Sequence, residues 1–130
     1  MFMRYLSLKD LLLLHEQIID ASGGSAGVRD YGRLESAVAA QEQEVFGRAV
    51  YGTLFQKAAA IARGIIADHP FIDSNKRTGI MAALLFLEAN GSDTSLITDL
   101  ELEDFAVKIA VEHLAVPEIA AWLEAHATVG

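Results

Sequence analysis

Residues 53–91 decide the fold of this chain, and they read TLFQKAAAIARGIIADHPFIDSNKRTGIMAALLFLEANG. The stretch contains two segments, 53–68 and 75–90, that are apolar on nearly every face of a helix, with a polar loop between them. Helices without a polar face belong in the interior of a globular protein. We therefore predict that these two helices form the core.

Local signals mark the ends of both core helices. Thr53 and Gln56 have the spacing of a capping box, which begins the first helix. Pro70 disfavours helical geometry at His69, so the first helix is expected to end there. Gly91 can end the second helix in the left-handed conformation that glycine tolerates.

Four more helices and one hairpin are predicted around this core. Their start signals are, in chain order, Ser7, Asp30, the capping box of Thr98 with Glu101, and Pro117. The first two of these helices are expected to end near Ser22 and near Gln41. Residues 44–52 alternate weakly and contain two glycines, which is typical of a short hairpin. The predicted fold class is all-α, with about six helices and a short β-hairpin flap.

Composition places the chain among globular domains. Its 130 residues are 52% hydrophobic, which is enough for one domain, residues 1–130, with an unaided core. Because it lacks cysteine, it can form neither a disulfide nor a cysteine–metal site. Its longest apolar run, Ile80–Leu87, has eight residues against the roughly 20 of a membrane span, and no signal peptide is recognisable. We expect a cytoplasmic protein that does not enter membranes.

Charge is distributed unevenly along the chain. The net charge of -8 argues against a domain that grips a nucleic-acid backbone. Residues 1–77 hold nine basic and nine acidic residues, whereas residues 78–130 hold one basic and nine acidic residues. Positive potential near this change must come largely from Lys76 and Arg77. We expect a solvated helix face at four later acidic residues: Asp99, Glu101, Glu103 and Asp104.

The start of the second core helix is a predicted anion site. Asn75, Lys76 and Arg77 fall in its first turn, where unpaired backbone N–H groups and the helix dipole favour an anion. Two cations reinforce that preference. The pattern therefore indicates a phosphate-binding site.

The rest of the loop between the core helices supplies acid–base and metal chemistry. Asp73 offers hard oxygen ligands beside the anion site, which suits Mg²⁺ shared with phosphates. His69 is the only plausible base of the loop at neutral pH. Phe71 and Ile72 are expected to anchor the loop in the core. A base that faces a phosphate site and a metal carboxylate indicates group transfer from a nucleoside triphosphate to a hydroxyl.

Other interpretations of these residues stay open at this point. His69 can be a structural helix C-cap, and residues 73–75 can be no more than an N-cap. A hydrolase that binds a metal through His69 and Asp73 lacks a third ligand nearby. The chain can also be a binding module without catalysis. The remaining histidines are interpreted as structural: His15, His113 and His126.

The run His-Pro-Phe-Ile-Asp-Ser-Asn-Lys-Arg at residues 69–77 resembles the signature loop of the Fic/Doc superfamily, H-P-F-x-(D/E)-G-N-G-R-x-x-R. Further segments resemble the short Doc-type toxins: 14–15, 27–30, 32–37, 51–55, 57–59 and 86–91. The resemblance implies a helical Fic/Doc domain. Its flap, at about residues 44–51, would lay a target peptide along itself as an added strand.

The resemblance implies a role for each candidate site residue. His69 would deprotonate a target hydroxyl, and Asp73 would coordinate Mg²⁺ on ATP. Phe71 would be the buried anchor of the loop. The nucleotide phosphates would be held by Ser74, through its backbone N–H, and by Asn75, Lys76 and Arg77.

Three departures from the family pattern bear on the reaction. Ser74 and Lys76 replace the two glycines of the pattern, and Ile80 stands at the place of its final arginine. Members that transfer AMP use the second glycine and that arginine to seat the terminal phosphates of ATP. Lys76 fills this space and adds a charge, so ATP can bind reversed and offer its γ-phosphate. We predict phosphoryl transfer, as in Doc-type members, with AMP transfer as the alternative.

The resemblance also implies protein partners. Doc-type members phosphorylate elongation factor Tu and halt translation, so this factor is the expected target. Many family members block their own ATP site with a helix that carries (S/T)-x-x-x-E-(G/N), and no glutamate here precedes glycine or asparagine. We therefore expect a separate antitoxin protein, bound in trans, whose disordered tail folds on this chain.

Overall fold

Six α-helices occur in the predicted order in the computed structural model, which describes residues 3–129. They are α1 (Leu8–Ser22), α2 (Tyr31–Ala39), α3 (Leu54–Asp68), α4 (Asn75–Ala89), α5 (Asp99–Glu112) and α6 (Val116–His126). Helix α2 was predicted to end near Gln41, and it ends at Ala39. A 3₁₀ turn, Ala40–Glu42, follows it and contains Gln41. None of the helices within 3–129 has the length and apolar character that crossing a bilayer requires. The all-α prediction is confirmed.

Two short antiparallel strand pairs accompany the helices. β1 (Glu44–Val45) pairs with β2 (Arg48–Ala49), which confirms the predicted hairpin. β3 (Ser92–Asp93) pairs with β4 (Thr128–Val129), a contact that was not predicted. Strands of two residues are too short to show an alternating pattern, so only the packing of the folded chain reveals this pair.

Helices α3 and α4 lie at the centre of the core, as predicted. The apolar side chains of α3 are mostly buried, and α2 and α6 also pack against this helix. The two helices are in close contact at Gly79, where a Cβ atom would lie 2.6 Å from Cγ1 of Ile66. Glycine therefore permits the two helices to approach, and their packing positions the loop that joins them.

Side-chain caps begin four of the six helices, α1, α2, α3 and α5, at the predicted residues. Complete capping boxes occur at Ser7, Thr53 and Thr98. Asp30 caps α2 through its side chain, and Pro117 lies in the first turn of α6. These starts depend on residues within one helical turn, which is why the sequence predicted them.

Thr98→Ala is expected to raise the pKa of Glu101 toward its ordinary value. Hydrogen bonds from the backbone N–H and the hydroxyl of Thr98 lower the pKa of this carboxyl, and the variant loses the hydroxyl. An NMR titration of the Glu101 carboxyl measures the change. An unaltered titration curve would contradict the prediction.

The same substitution should have a pH-dependent effect on stability. A carboxyl whose pKa is lowered on folding stabilises the protein above its unfolded-state pKa, and this stabilisation is lost as the pH falls through the folded-state pKa. The difference in unfolding free energy between wild type and Thr98→Ala should therefore narrow at acidic pH. Thr53→Ala is the matched control, because its capping-box partner, Gln56, is uncharged.

Candidate active site

A cavity of about 430 Å³ opens between the loop at residues 69–77 and helix α5. All six predicted site residues line it: His69, Asp73, Ser74, Asn75, Lys76 and Arg77. Its apolar lining comes from the loop, α4 and α5: Ile72, Ile80, Met81, Leu102, Ala106 and Val107. The size is typical of sites that bind small molecules, and polar or charged residues make up eight of the fourteen that line the cavity.

Two acidic residues of α5, Asp99 and Glu103, also line the cavity. The four acidic residues near the start of α5 are exposed, as predicted, but these two share their surroundings with Lys76 and Arg77. The cavity therefore contains charges of both signs. Helical periodicity shows which face of a helix is polar, and it does not show what lies opposite that face.

His69 ends α3 in the left-handed conformation, with φ 48° and ψ 57°. The helix stops before Pro70, as predicted. The His69 side chain is exposed at the cavity, and its ring forms no hydrogen bond to any group within residues 3–129, unlike the rings of His15 and His126. The imidazole is therefore available to accept a proton from a bound molecule.

Phe71 anchors the loop, and Ile72 does not. Phe71 is fully buried, and its ring stacks on that of His15 with 3.9 Å between centroids. Ile72 is 55% exposed, so the prediction that it enters the core is wrong. Phe71 pairs with Val28 in an isolated antiparallel bridge, and the chain bends at Ile72. The bend leaves Ile72 at the cavity, while Phe71 stays in the core.

His15 supports the loop from α1. Its side chain is buried, and Nε2 donates a hydrogen bond to the carbonyl oxygen of Asp73 at 2.9 Å. This geometry agrees with a structural role, as do the left-handed helix end at His113 and the aromatic stacking of His126. No local signal identified the partner of His15, because Asp73 lies 58 positions away in the sequence.

Asn75 brackets the backbone of Phe71. Its Oδ1 accepts a hydrogen bond from the Phe71 N–H at 3.0 Å, and its Nδ2 donates to the Phe71 carbonyl at 3.0 Å. The side chain is only 9% exposed. Its amide therefore holds the shape of the loop, and contact with a phosphate stays a prediction for this residue.

Asp73 presents an oriented carboxylate. Its Oδ1 accepts a hydrogen bond from the backbone N–H of Ser74 at 2.8 Å, and its Oδ2 accepts one from that of Ser25 at 3.2 Å. A carboxylate has about four lone-pair sites, so about two stay open to a cation. Among the described residues, no group of three or more His, Asp or Glu could hold a metal by itself. Asp73 fits Mg²⁺, which binds one or two carboxylates and completes its shell with phosphates and water.

Helix α4 begins at the cavity without a side-chain cap. Ser74 precedes it in the left-handed conformation, with φ 62°, and its hydroxyl forms no cap hydrogen bond. Lys76 and Arg77 are exposed and form no ion pair with any other residue of the range 3–129. The N–H groups of residues 75–77, the helix dipole and two cations together favour an anion. This arrangement supports the predicted phosphate site. The backbone N–H of Ser74, which was predicted to contact a phosphate, donates to Oδ1 of Asp73 instead.

Residues 5–87 match the model of the Fic/DOC family. The chain belongs to the Fic/Doc family. The match covers α1 to α3, the loop at residues 69–77 and most of α4, so it confirms the resemblance that the motif suggested. The matched range therefore includes every predicted site residue.

Two curated relatives are similar over most of the chain. The protein named Toxin Doc from Mycolicibacterium smegmatis is 38% identical over 104 residues, which are 79% of this chain and 80% of that protein. Protein kinase doc from Escherichia phage P1 is 33% identical over 118 residues, which are 91% of each chain. Both relatives carry Doc in their names.

Proposed function

We propose that this Fic/Doc protein is a Doc-type toxin that transfers the γ-phosphate of ATP to a serine or threonine hydroxyl of a protein. One observation carries the proposal: His69, Asp73 and the cation pair at the start of α4 line the same cavity. A base, a metal carboxylate and a phosphate site can therefore act on one nucleotide. The names of the two relatives, Toxin Doc and Protein kinase doc, support the same activity.

His69 supplies the base for this transfer. Its imidazole receives the proton of the target hydroxyl as the hydroxyl oxygen bonds to the γ-phosphorus. The bond from that phosphorus to the β–γ bridging oxygen breaks, and ADP leaves. Lys76, Arg77 and the N–H groups that begin α4 hold the phosphates in place. Magnesium held by Asp73 would neutralise charge on the phosphate oxygens.

Lys76 and Ile80 favour phosphoryl transfer over AMP transfer. Ile80 occupies the place of the final arginine of the family pattern, and it is 2% exposed where it lines the cavity. A buried aliphatic side chain cannot pair with a terminal phosphate, whereas Lys76 adds a cation at the start of α4. Both residues therefore favour an orientation of ATP in which the target hydroxyl attacks the γ-phosphate and not the α-phosphate.

Elongation factor Tu is the proposed target, and the β1–β2 hairpin is the proposed docking edge. All four strand residues are exposed, and Phe46 at the tip is fully exposed. An exposed strand can add a target peptide through backbone hydrogen bonds. We also propose a cytoplasmic location and a separate antitoxin protein that binds in trans.

Labelled ATP tests the proposal directly. The chain is incubated with purified elongation factor Tu and with ATP labelled at either the α- or the γ-phosphorus. We expect γ-label in the factor and no α-label, with mass spectrometry locating the group on a serine or threonine. Incorporation of α-label would establish AMP transfer instead. If neither label enters any protein of a bacterial lysate and Mg-ATP does not bind saturably, the chain is a binding module.

A further inference from the structure

The orientation of His69 depends on its backbone. The imidazole forms no hydrogen bond within the described part of the chain, so no side-chain partner orients the ring. The backbone is left-handed, which is uncommon for residues other than glycine, and Pro70 restricts it further. Such a conformation persists only where surrounding contacts hold it.

Arg29 supplies these contacts. Its guanidinium donates to the carbonyl oxygen of His69 from Nε at 2.8 Å and from Nη2 at 2.5 Å. The same Nη2 donates to the carbonyl oxygen of Asp68 at 3.1 Å. The backbone N–H of Arg29 donates to the carbonyl oxygen of Pro70 at 2.7 Å. One residue thus binds three consecutive carbonyl groups of the turn that carries His69.

The chain around Arg29 is itself attached to the loop. The N–H of Ile72 donates to the carbonyl oxygen of Gly27 at 3.1 Å, and Val28 forms the antiparallel bridge with Phe71. The backbone of residues 27–29 is therefore hydrogen-bonded to the backbone of residues 70–72. This attachment limits the positions that its guanidinium can reach.

We propose that Arg29 is the positioning residue of His69. Its guanidinium fork holds the left-handed end of α3 and thereby directs the imidazole into the cavity. Cations interact favourably with the last carbonyl groups of a helix, so the fork also suits the helix dipole. Lysine has no planar fork and acts as a point charge, so it should hold the turn less well. The effect on activity rests on the proposed function, whereas the effect on the His69 backbone does not.

Arg33 offers a matched control. Its Nη1 donates to the carbonyl oxygen of Asp68 at 2.9 Å, and its Nε lies 3.4 Å from the Asp30 carboxylate. It is an exposed arginine of α2 that contacts the C-terminal end of α3, as Arg29 does. It forms no hydrogen bond with His69 in the described structure. Its removal therefore takes away a similar charge and a similar helix-end contact.

Arg29→Gln, Arg29→Lys and Arg33→Gln are compared in the full chain by two measurements. The NMR order parameter of the His69 amide should fall from about 0.85 to below about 0.6 in Arg29→Gln, and it should not change in Arg33→Gln. In Arg29→Gln, kcat should fall about 100-fold while KM for ATP changes by less than about threefold. Arg29→Lys should be intermediate in both measurements.

A His69 amide that stays rigid in Arg29→Gln would overturn the proposal, as would an equal loss of kcat in Arg33→Gln. The order parameter requires no catalysis, so it tests the role of Arg29 even if the chain transfers no phosphate. If the His69 amide becomes mobile in Arg29→Gln but the wild-type chain transfers no phosphate, the proposed function is wrong and the role of Arg29 is retained. If Arg29→Gln does not fold, Arg29→Lys provides the same comparison with the charge retained.

Discussion

His69→Ala is expected to slow phosphoryl transfer by about 10²–10⁴-fold, the contribution of a positioned general base. Among the residues that line the cavity, only His69 carries an imidazole. Its side chain is exposed and forms no hydrogen bond with the described residues, so alanine leaves the anchor at Phe71 and the amide bracket of Asn75 intact. Single-turnover transfer of γ-label should therefore be lost, while calorimetry should still detect saturable binding of Mg-ATP.

His113→Ala is the matched control for this substitution. His113 ends α5 in the same left-handed conformation, with φ 51° and ψ 49°, and it is also exposed. Both substitutions remove an imidazole from a left-handed helix end, so their effects on stability should be similar. Because His113 does not line the cavity, its variant should transfer phosphate at the wild-type rate. Equal rates for the two variants would contradict the role of His69 as the base.

Phe71→Ala is expected to lower the free energy of unfolding by about 3–5 kcal/mol. Phe71 is fully buried, its ring stacks on that of His15, and its backbone is bracketed by the amide of Asn75. These hydrogen-bonded neighbours cannot easily collapse into the space that the ring leaves. Urea denaturation followed by far-UV circular dichroism measures the loss.

Ile72→Ala is the matched control for the loss of stability. Ile72 adjoins Phe71 and is 55% exposed, so its truncation should change the free energy of unfolding by no more than about 0.5 kcal/mol. The two variants remove apolar side chains from neighbouring positions that differ in burial. If both lowered the midpoint of urea denaturation equally, Phe71 would not be the anchor of the loop.

Signals that act within one helical turn predicted most of the fold. The predicted capping boxes at Thr53 and Thr98 each join residues three positions apart, and both are present. Ser7 caps α1, as predicted. The continuous apolar faces of α3 and α4 predicted that both helices are buried. The density of polar residue types in the loop between them identified a segment whose candidate residues all line one cavity.

The residues that support this loop escaped prediction. His15 bonds to Asp73 across 58 positions of sequence, and Arg29 bonds to His69 across 40. Ser25, in a glycine-rich segment, bonds to the Asp73 carboxylate across 48 positions. A polar residue in a loop has the same local pattern whether or not it has a distant partner. Composition and periodicity therefore do not contain these contacts.

The sequence by itself determined which segments are helical, where they begin and which loop carries the candidate chemistry, because these properties depend on neighbours along the chain. Only the tertiary structure decided that Asp99 and Glu103 of α5 line the cavity and that Arg29 holds the backbone of His69. It also decided that Ile72 lies at the cavity and not in the core, because the chain bends there after the bridge between Phe71 and Val28. These features arise when packed helices bring distant residues together, and no local pattern records which residues will meet.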